Sequence, residues 1–522
     1  MTSLRCFWPP QRKKSAVDID ALRESVNTAS THTRRVFLTF LVFCAYYTIT
    51  VLTTTHVQLL TEAPIKLPIL QIPIPLFWFY SCGPFVIVGF FIYLVAQIFL
   101  LNEKANHWYN QLKKNSNITE HITQLYPFIV THNIFIKFYT SPLKQIINTS
   151  YIISIYIFPI FALLITQIAF IPYHNENITW MNRIAIITQC YITYNFKKID
   201  KRNSIKNKIL QLSTLSIVLV YSFFVATIPT EYINNFSLYN SKIYPFYRNL
   251  YISNISLYSR YESPEIIAVK YYKTGNIVQS KMELNDPINL SERDLHGATF
   301  SNVTFPKIKI SRSSNFNSSD FIDVNFYNCS ISNDFKTTSF TRCNFNNCTI
   351  YETTIGDESL IYFCNFSQCK LEGIHIYSSD FESNLFSDSN FDTIHTSNSI
   401  IDENTYLDCK YIDTTSSKSE FSNNMLINSD AFNPQIYSSY LSSNTIFDSK
   451  IKNLFIHKIT IESNTICNLE IINPVILASD TTNLSLINTQ LIAPKVSLTK
   501  ISNLTTFASD TLKNTITGRK KQ

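Results

Sequence analysis

The sequence predicts two fold classes in one chain: an α-helical multi-pass transmembrane domain, then an all-β solenoid whose coils have four short sides. Three observations predict this. Apolar runs near the length of a bilayer crossing are confined to the first 228 residues. From residue 290 apolar residues recur at every fifth position. Basic charge is concentrated in the apolar half. A chain of 522 residues exceeds one ordinary core. Only 16% of it is charged while 45% is apolar, against about 25% charged in a typical soluble domain. That balance excludes an ordinary cytosolic enzyme and a disordered chain. Seven glycines exclude a collagen-like repeat and leave little room for Gly-rich phosphate loops.

Four runs read as spans of about 20 residues or more: Val36–Thr55, Leu76–Leu101 with a Gly83-Pro84 break expected to kink it, Tyr151–Pro172 with Pro159 inside, and Ile209–Ile228. The first 35 residues are polar, so no cleavable signal peptide is expected. Hydropathy leaves a fifth run, Trp180–Phe196, undecided, because it contains Arg183 and Gln189. Charge resolves it. Arg12, Lys13, Lys14, Arg34 and Arg35 place the N-terminus in the cytoplasm. Lys104, Lys113, Lys114, Lys137 and Lys144 place the loop after the second span there too. Lys197, Lys198, Lys201, Arg202, Lys206 and Lys208 join them only if Trp180–Phe196 crosses. The expectation is five spans, about 36–55, 76–101, 151–172, 180–196 and 209–228. A cytoplasmic segment 1–35 precedes the transmembrane domain 36–228. A connector 229–284 follows, then a repeat domain 285–503 outside the cytoplasm and a basic tail 504–522.

In the repeat half, apolar residues fall at Leu290, Leu295, Phe300, Phe305 and Ile310, then at Phe316, Phe321, Phe326 and Ile331. They continue at Phe335, Phe340, Phe345, Ile350, Ile355 and Leu360. From Phe366 to Ile501 only Thr396, Ser416 and Thr481 break a run of 28 such positions; chance gives roughly 13 apolar. A second period of 20 is superimposed. Asn stands at Asn384, Asn404, Asn424, Asn444 and Asn464, and Ser at Ser379, Ser399, Ser419, Ser439 and Ser479. Four five-residue sides make one coil. Each side turns one large and one small residue inward, and like residues stack between coils, where Asn side chains can form a ladder. At ~4.8 Å per coil the rod is roughly 50 Å long. So narrow a coil, filled by these side chains, leaves no cavity for a substrate. Glu382, Asp402 and Ser422 share an outward stripe, and Ser383 is an outward position tolerant of Asp.

Cys343-Asn-Phe-Asn-Asn, Cys348-Thr-Ile-Tyr-Glu, Cys364-Asn-Phe-Ser-Gln and Ser379-Asp-Phe-Glu-Ser resemble pentapeptide repeats. The resemblance implies a right-handed quadrilateral parallel β-helix, the pentapeptide-repeat solenoid. Pro434, Pro474 and Pro494 depart from the family pattern on one 20-residue ladder, where an irregular face is expected. Upstream, Thr53-Thr-Thr-His-Val-Gln-Leu-Leu, Lys66-Leu-Pro-Ile-Leu, Phe170-Ile-Pro-Tyr-His-Asn, Thr179-Trp180 with Arg183, and Glu292-Arg-Asp-Leu-His-Gly-Ala are similar to bacterial multi-pass membrane proteins ending in pentapeptide repeats. Covering residues 23–501, that similarity implies an architecture and a bacterial inner-membrane location only.

No residue set points to catalysis, a cofactor or a metal. No Ser/His/Asp arrangement, H-E-x-x-H, G-x-x-x-x-G-K-[ST] or G-x-S-x-G is present. Seven of 11 cysteines lie in the repeats. Cys343 and Cys348 precede Cys364 and Cys369 by one coil plus a one-residue slip, so four thiols cluster. Small inward filler is the expected role, with disulfides and a metal as alternatives. His56 and His174 fall at the predicted outer boundary, with Tyr173 and Trp180 in the aromatic belt. The expected function is a non-enzymatic, membrane-anchored scaffold whose rod binds an unidentified protein or envelope partner. Nucleic acid is not an expected partner. Two alternatives stand. One is a channel or transporter built by the membrane half, disfavoured because the spans contain no Asp or Glu. The other is a topoisomerase inhibitor resembling duplex DNA, as some soluble pentapeptide-repeat proteins are. Such a rod should be strongly acidic, whereas residues 284–501 carry 24 acidic and 14 basic residues.

Overall fold

The computed structural model describes residues 19–66, 72–115, 122, 124–138, 141–199, 205–227, 249–257, 288–482, 484–487, 489–492, 495–502 and 505–507. Arg12–Lys14, Lys201, Arg202, Pro494, most of the connector and most of the basic tail lie outside them. The chain forms two compact units, one of residues 1–171 and 175–246, the other of residues 172–174 and 247–522.

The first unit is helical. Its described helices are α1 (Ile19–Leu52), α2 (His56–Thr61), α3 (Leu76–Asn115), α4 (Ile129–Ile134), α5 (Ser141–Ile152), α6 (Phe158–Phe170), α7 (Glu176–Ile199) and α8 (Ile205–Thr227). Among the described residues three stretches are long and apolar enough to cross a membrane: Ile19–Leu52, Leu76–Lys113 and Pro142–Tyr173. Helix α1 begins well before Val36, and within it Thr28, Thr31 and Thr33 return their hydroxyls to the carbonyls four residues back. It stops at Leu52, and Thr55 caps α2 in a reciprocal bond with Gln58. The Gly83-Pro84 pair does not interrupt α3, which is one 40-residue helix. Gly83 serves packing instead. A Cβ there would lie 2.5 Å from Tyr47 Oη, and the Tyr47 ring is held by stacking on Phe79 at 4.8 Å. Pro159 opens α6 directly after a π turn, Ile153–Ile157, where its missing N–H is tolerated.

Helix α7 contains the undecided run. Arg183 is buried, and its guanidinium lies over the rings of Trp180 and Phe223 at 4.6 and 5.0 Å. On α6 and α8, Gln167 and Ser222 exchange two hydrogen bonds. Among the described residues, helix α8 carries the apolar stretch Leu212–Phe224.

The second unit is a parallel β-helix with pentapeptide-like coils. One side of every coil joins an 11-stranded sheet of its own, from Ile288–Asn289 to Gln490–Ile492. The other sides lie in a 29-stranded sheet. Inward centres pair one coil apart, as in Phe381↔Ile401↔Phe421. The aromatic centres stack. Phe345, Phe366, Phe386 and Tyr406 lie in sequence at 4.5, 4.7 and 5.0 Å, close to the spacing of paired strands. The residue two after each centre adopts φ near +50°, as at Ser383, Asp388, Thr393 and Asn398. Each coil therefore turns its corners through left-handed residues, a task given mainly to Asn, Asp and Ser rather than Gly.

Three sequence expectations change. The one-residue slip is placed at Asp357 and Glu358, both with positive φ. The centre that follows is Ile361, which is buried and pairs with Phe340, while Leu360 faces solvent. The proline face keeps its register around Pro434, where Gln435 pairs with Thr415 and with Phe455 on either side. The expected irregularity appears after Pro474, as a bulge between Leu477 and Asp480 on the strand Val475–Thr482. Part of the expected connector belongs to the rod, because Tyr251–Ser256 pairs in parallel with Thr299–Pro306.

Candidate functional site

The outer surface of the rod is a set of columns, each adding one residue per coil. Glu382, Asp402 and Ser422 are such a column, in register as expected. Its members are tied together: Tyr362 Oη donates to Glu382 at 2.7 Å, and Ser422 Oγ donates to Asp402 at 2.8 Å. Ser383 is less free than its pattern suggests. Its hydroxyl donates to Glu403 at 2.9 Å, so an Asp there would face a carboxylate. On the 11-stranded side, the column Lys410, Asp430, Lys450 and Glu470 alternates in sign, and Lys450 pairs with Glu470. Near the N-terminal coils, Arg342 holds Asp323 through two bonds, at 2.7 and 2.8 Å. That guanidinium lowers the Asp323 pKa.

One column is apolar. Leu407, Ile427, Phe447, Cys467 and Ile487 pair in succession on the outer surface. Phe447 and Ile487 are exposed, at 40% and 39%. The neighbouring corner column is polar and self-bonded, with Asn468 donating to Asp448 at 2.8 Å. Sequence reasoning singled out the Glu382, Asp402 and Ser422 stripe and passed over these positions. The signal was present, since they share the 20-residue spacing of the Asn ladder.

Six of the seven repeat cysteines are inward filler, and Cys467 instead joins the outer apolar column. Cys329, Cys343, Cys348, Cys364, Cys369 and Cys409 are buried and unbridged. Each thiol points at a backbone carbonyl, as Cys364 does at Phe340 at 3.4 Å. Burial raises the thiol pKa of Cys409 to about 11 and pushes Cys343 up as well. Among the described residues no group of three His, Cys, Asp or Glu side chains is placed to hold a metal. His56 opens α2, and burial lowers its pKa to about 4. His174 follows a short 3-10 turn with φ +56°. A histidine pair that sequence reasoning passed over lies on the rod surface: the rings of His375 and His395 stack at 4.9 Å.

The interior differs from expectation. The rod contains a cavity of about 410 Å³, lined by inward centres from Ile331 to Ile476. Side-chain volume runs short where the centres are Ser416 and Ala431 rather than Phe or Ile, and in the C-terminal coils, where Ile replaces Phe.

No family model matches this chain, and no curated protein matches it. Several solved structures are similar to it, among them the following three. A trypsin-treated variant of QnrB1, a plasmid-mediated fluoroquinolone resistance protein, is 17% identical over 32% of this chain and 78% of its own, with a TM-score of 0.17. Full-length QnrB1 is 14% identical over 45% of this chain and 97% of its own, with a TM-score of 0.15. A mannuronic acid specific polysaccharide family 6 lyase from human gut microbiota is 13% identical over 50% of this chain and 83% of its own, with a TM-score of 0.27. The strand register by itself makes the rod a parallel β-helix.

Proposed function

We propose that this protein is a bacterial membrane-anchored scaffold, without catalytic activity, whose repeat rod binds a protein or envelope partner outside the cytoplasm. The observation that carries the reading is the apolar column Leu407 to Ile487, which lies beside the self-bonded polar corner column of Asp448 and Asn468. An ordered apolar stripe with polar margins suits recognition. Three helical stretches of membrane-crossing length support anchoring. Alternating charge on the 11-stranded side weighs against duplex-DNA resemblance, which needs a continuous acidic stripe.

The test is photocrosslinking in intact cells from Phe447, Glu382, Asp402 and Ser422. A reproducible partner captured from Phe447 supports the scaffold. No partner from any face makes the rod a spacer, and turnover lost on a single outward substitution makes it an enzyme. A cysteine engineered near Lys500, after removal of native ones, tests topology. Labelling by an impermeant reagent before lysis supports the five-span arrangement, and labelling only after lysis sinks it.

One observation favours a channel or transporter as second reading. On α7, Asn182 Oδ1, both Gln189 amide atoms and Thr193 Oγ1 are buried without a hydrogen-bond partner. Buried unpaired polar groups in a membrane bundle mark hydrated paths. Ion flux in proteoliposomes, reduced by Gln189→Leu, would favour that reading over the scaffold.

A further inference from the structure

The residues that break the apolar rule in the bore are neighbours. Thr396 and Ser416 pair on one side in consecutive coils. Tyr411 is the inward centre immediately before Ser416 along the chain. Thr396 Oγ1, Tyr411 Oη and Ser416 Oγ are buried and have no hydrogen-bond partner. Ser416 is only 6% exposed. All three residues line the cavity of about 410 Å³. The column holding Thr396 and Ser416 carries Ile at Ile376, Ile436, Ile456 and Ile476, so the fold accepts Ile at this position. Hydroxyls replace it only beside Tyr411. Ala431 then widens the bore one coil further on, between Tyr411 and Ile451.

We propose that the bore is a binding site for a neutral, elongated hydrocarbon bearing a hydroxyl, of the alkanol class. Its apolar body lies along the Phe- and Ile-lined bore, and its hydroxyl meets Thr396, Tyr411 and Ser416. Neutrality follows from the lining, which contains no Lys, Arg or His to compensate a buried carboxylate. Elongation follows from the lining centres, which succeed one another coil by coil. The size is adequate: a cavity of roughly 150 Å³ holds one benzene, and small-molecule sites run from about 300 Å³ upward, apolar with a few convergent polar groups. This assignment goes beyond the scaffold reading and does not depend on it.

The experiment uses the full chain in lipid nanodiscs, with fluorine NMR of a terminally trifluorinated decanol and of the matching trifluorinated decane. Empty nanodiscs supply the partition baseline. A saturable decanol site is expected above that baseline, and Ala431→Phe, which refills the column, should abolish it. The triple variant Thr396→Ile, Tyr411→Phe, Ser416→Ile should weaken decanol about five- to tenfold and leave the decane unchanged. If the triple variant does not fold, Tyr411→Phe carries the same comparison, because Phe391 already occupies that column. Absence of a saturable decanol site, which would leave the bore to water, overturns the proposal. So does binding that survives Ala431→Phe, or equal weakening of decanol and decane.

Discussion

Asn384 donates its backbone N–H to Oδ1 of Asn404, one coil on, at 3.0 Å. The relation repeats from Asn404 to Asn424 and from Asn424 to Asn444. Each Nδ2 also bonds a carbonyl of the preceding coil, as Asn404 does with Phe381 at 2.9 Å. The ladder therefore satisfies a buried amide that the strand pairing leaves over. Asn404→Ala should destabilise the rod by about 2–4 kcal/mol, since it orphans the Asn384 N–H and the Phe381 carbonyl. Asn404→Ser should cost less, because Ser399 accepts the equivalent N–H of Ser379 on the adjacent side. Urea-dependent pulse proteolysis of the full chain ranks the three proteins.

Beyond Ile374 the described prolines of the rod, Pro434 and Pro474, share one column. From Ile374 onward that column presents Ile394, Thr414, Pro434, Leu454 and Pro474, and none of them accepts a neighbour's N–H through its side chain. A missing N–H is therefore harmless there and harmful in the Asn column. Thr414→Pro should be neutral or stabilise by up to about 1 kcal/mol. Asn424→Pro removes a donor that bonds Asn444 at 3.0 Å and should cost about 3 kcal/mol or more. Similar losses in the two variants, read by the same proteolysis, would contradict the column assignment.

The inward register is tested by Phe381→Asp, which places a carboxylate among Ile361 and Ile401. It should destabilise by several kcal/mol, about 4 or more. Ser383→Asn is the outward control. It suits the left-handed corner, at φ +56°, and avoids the repulsion from Glu403 that Asp would meet, so its effect should stay within about 0.5 kcal/mol. Equal protease sensitivity would refute the register.

The stacked histidines make the rod sensitive to acid. Burial, then the charge of His375, lowers the His395 pKa. The folded state thus favours the neutral ring. In the unfolded chain His395 takes up its proton near pH 6.5, before the folded state does. Its contribution is complete above about pH 6.5 and shrinks as pH falls through the lowered folded value. The rod's thermal unfolding midpoint should drop over that window, and His395→Asn should flatten the dependence. An unchanged slope in the variant would exclude the pair as its source.

The sequence by itself determined the regular parts of this protein. Inward centres recur every fifth residue and ladder residues every twentieth because each side of the coil is local and identical, so burial appears as a linear period. Apolar runs announced the helices for the same reason. Only the tertiary structure decided matters that depend on residues distant in the chain. Leu360 and Ile361 are both apolar, and only pairing with Phe340 selects Ile361. Arg183 lowered the hydropathy of Trp180–Phe196, and only packing supplies Phe223 as its cover. Tyr251–Ser256 carries no repeat, and it becomes a strand because Thr299–Pro306 offers it an edge. The bore is the clearest case. Whether a coil is full depends on the summed volumes of side chains from all its sides and from the coils above and below, a quantity no linear period contains.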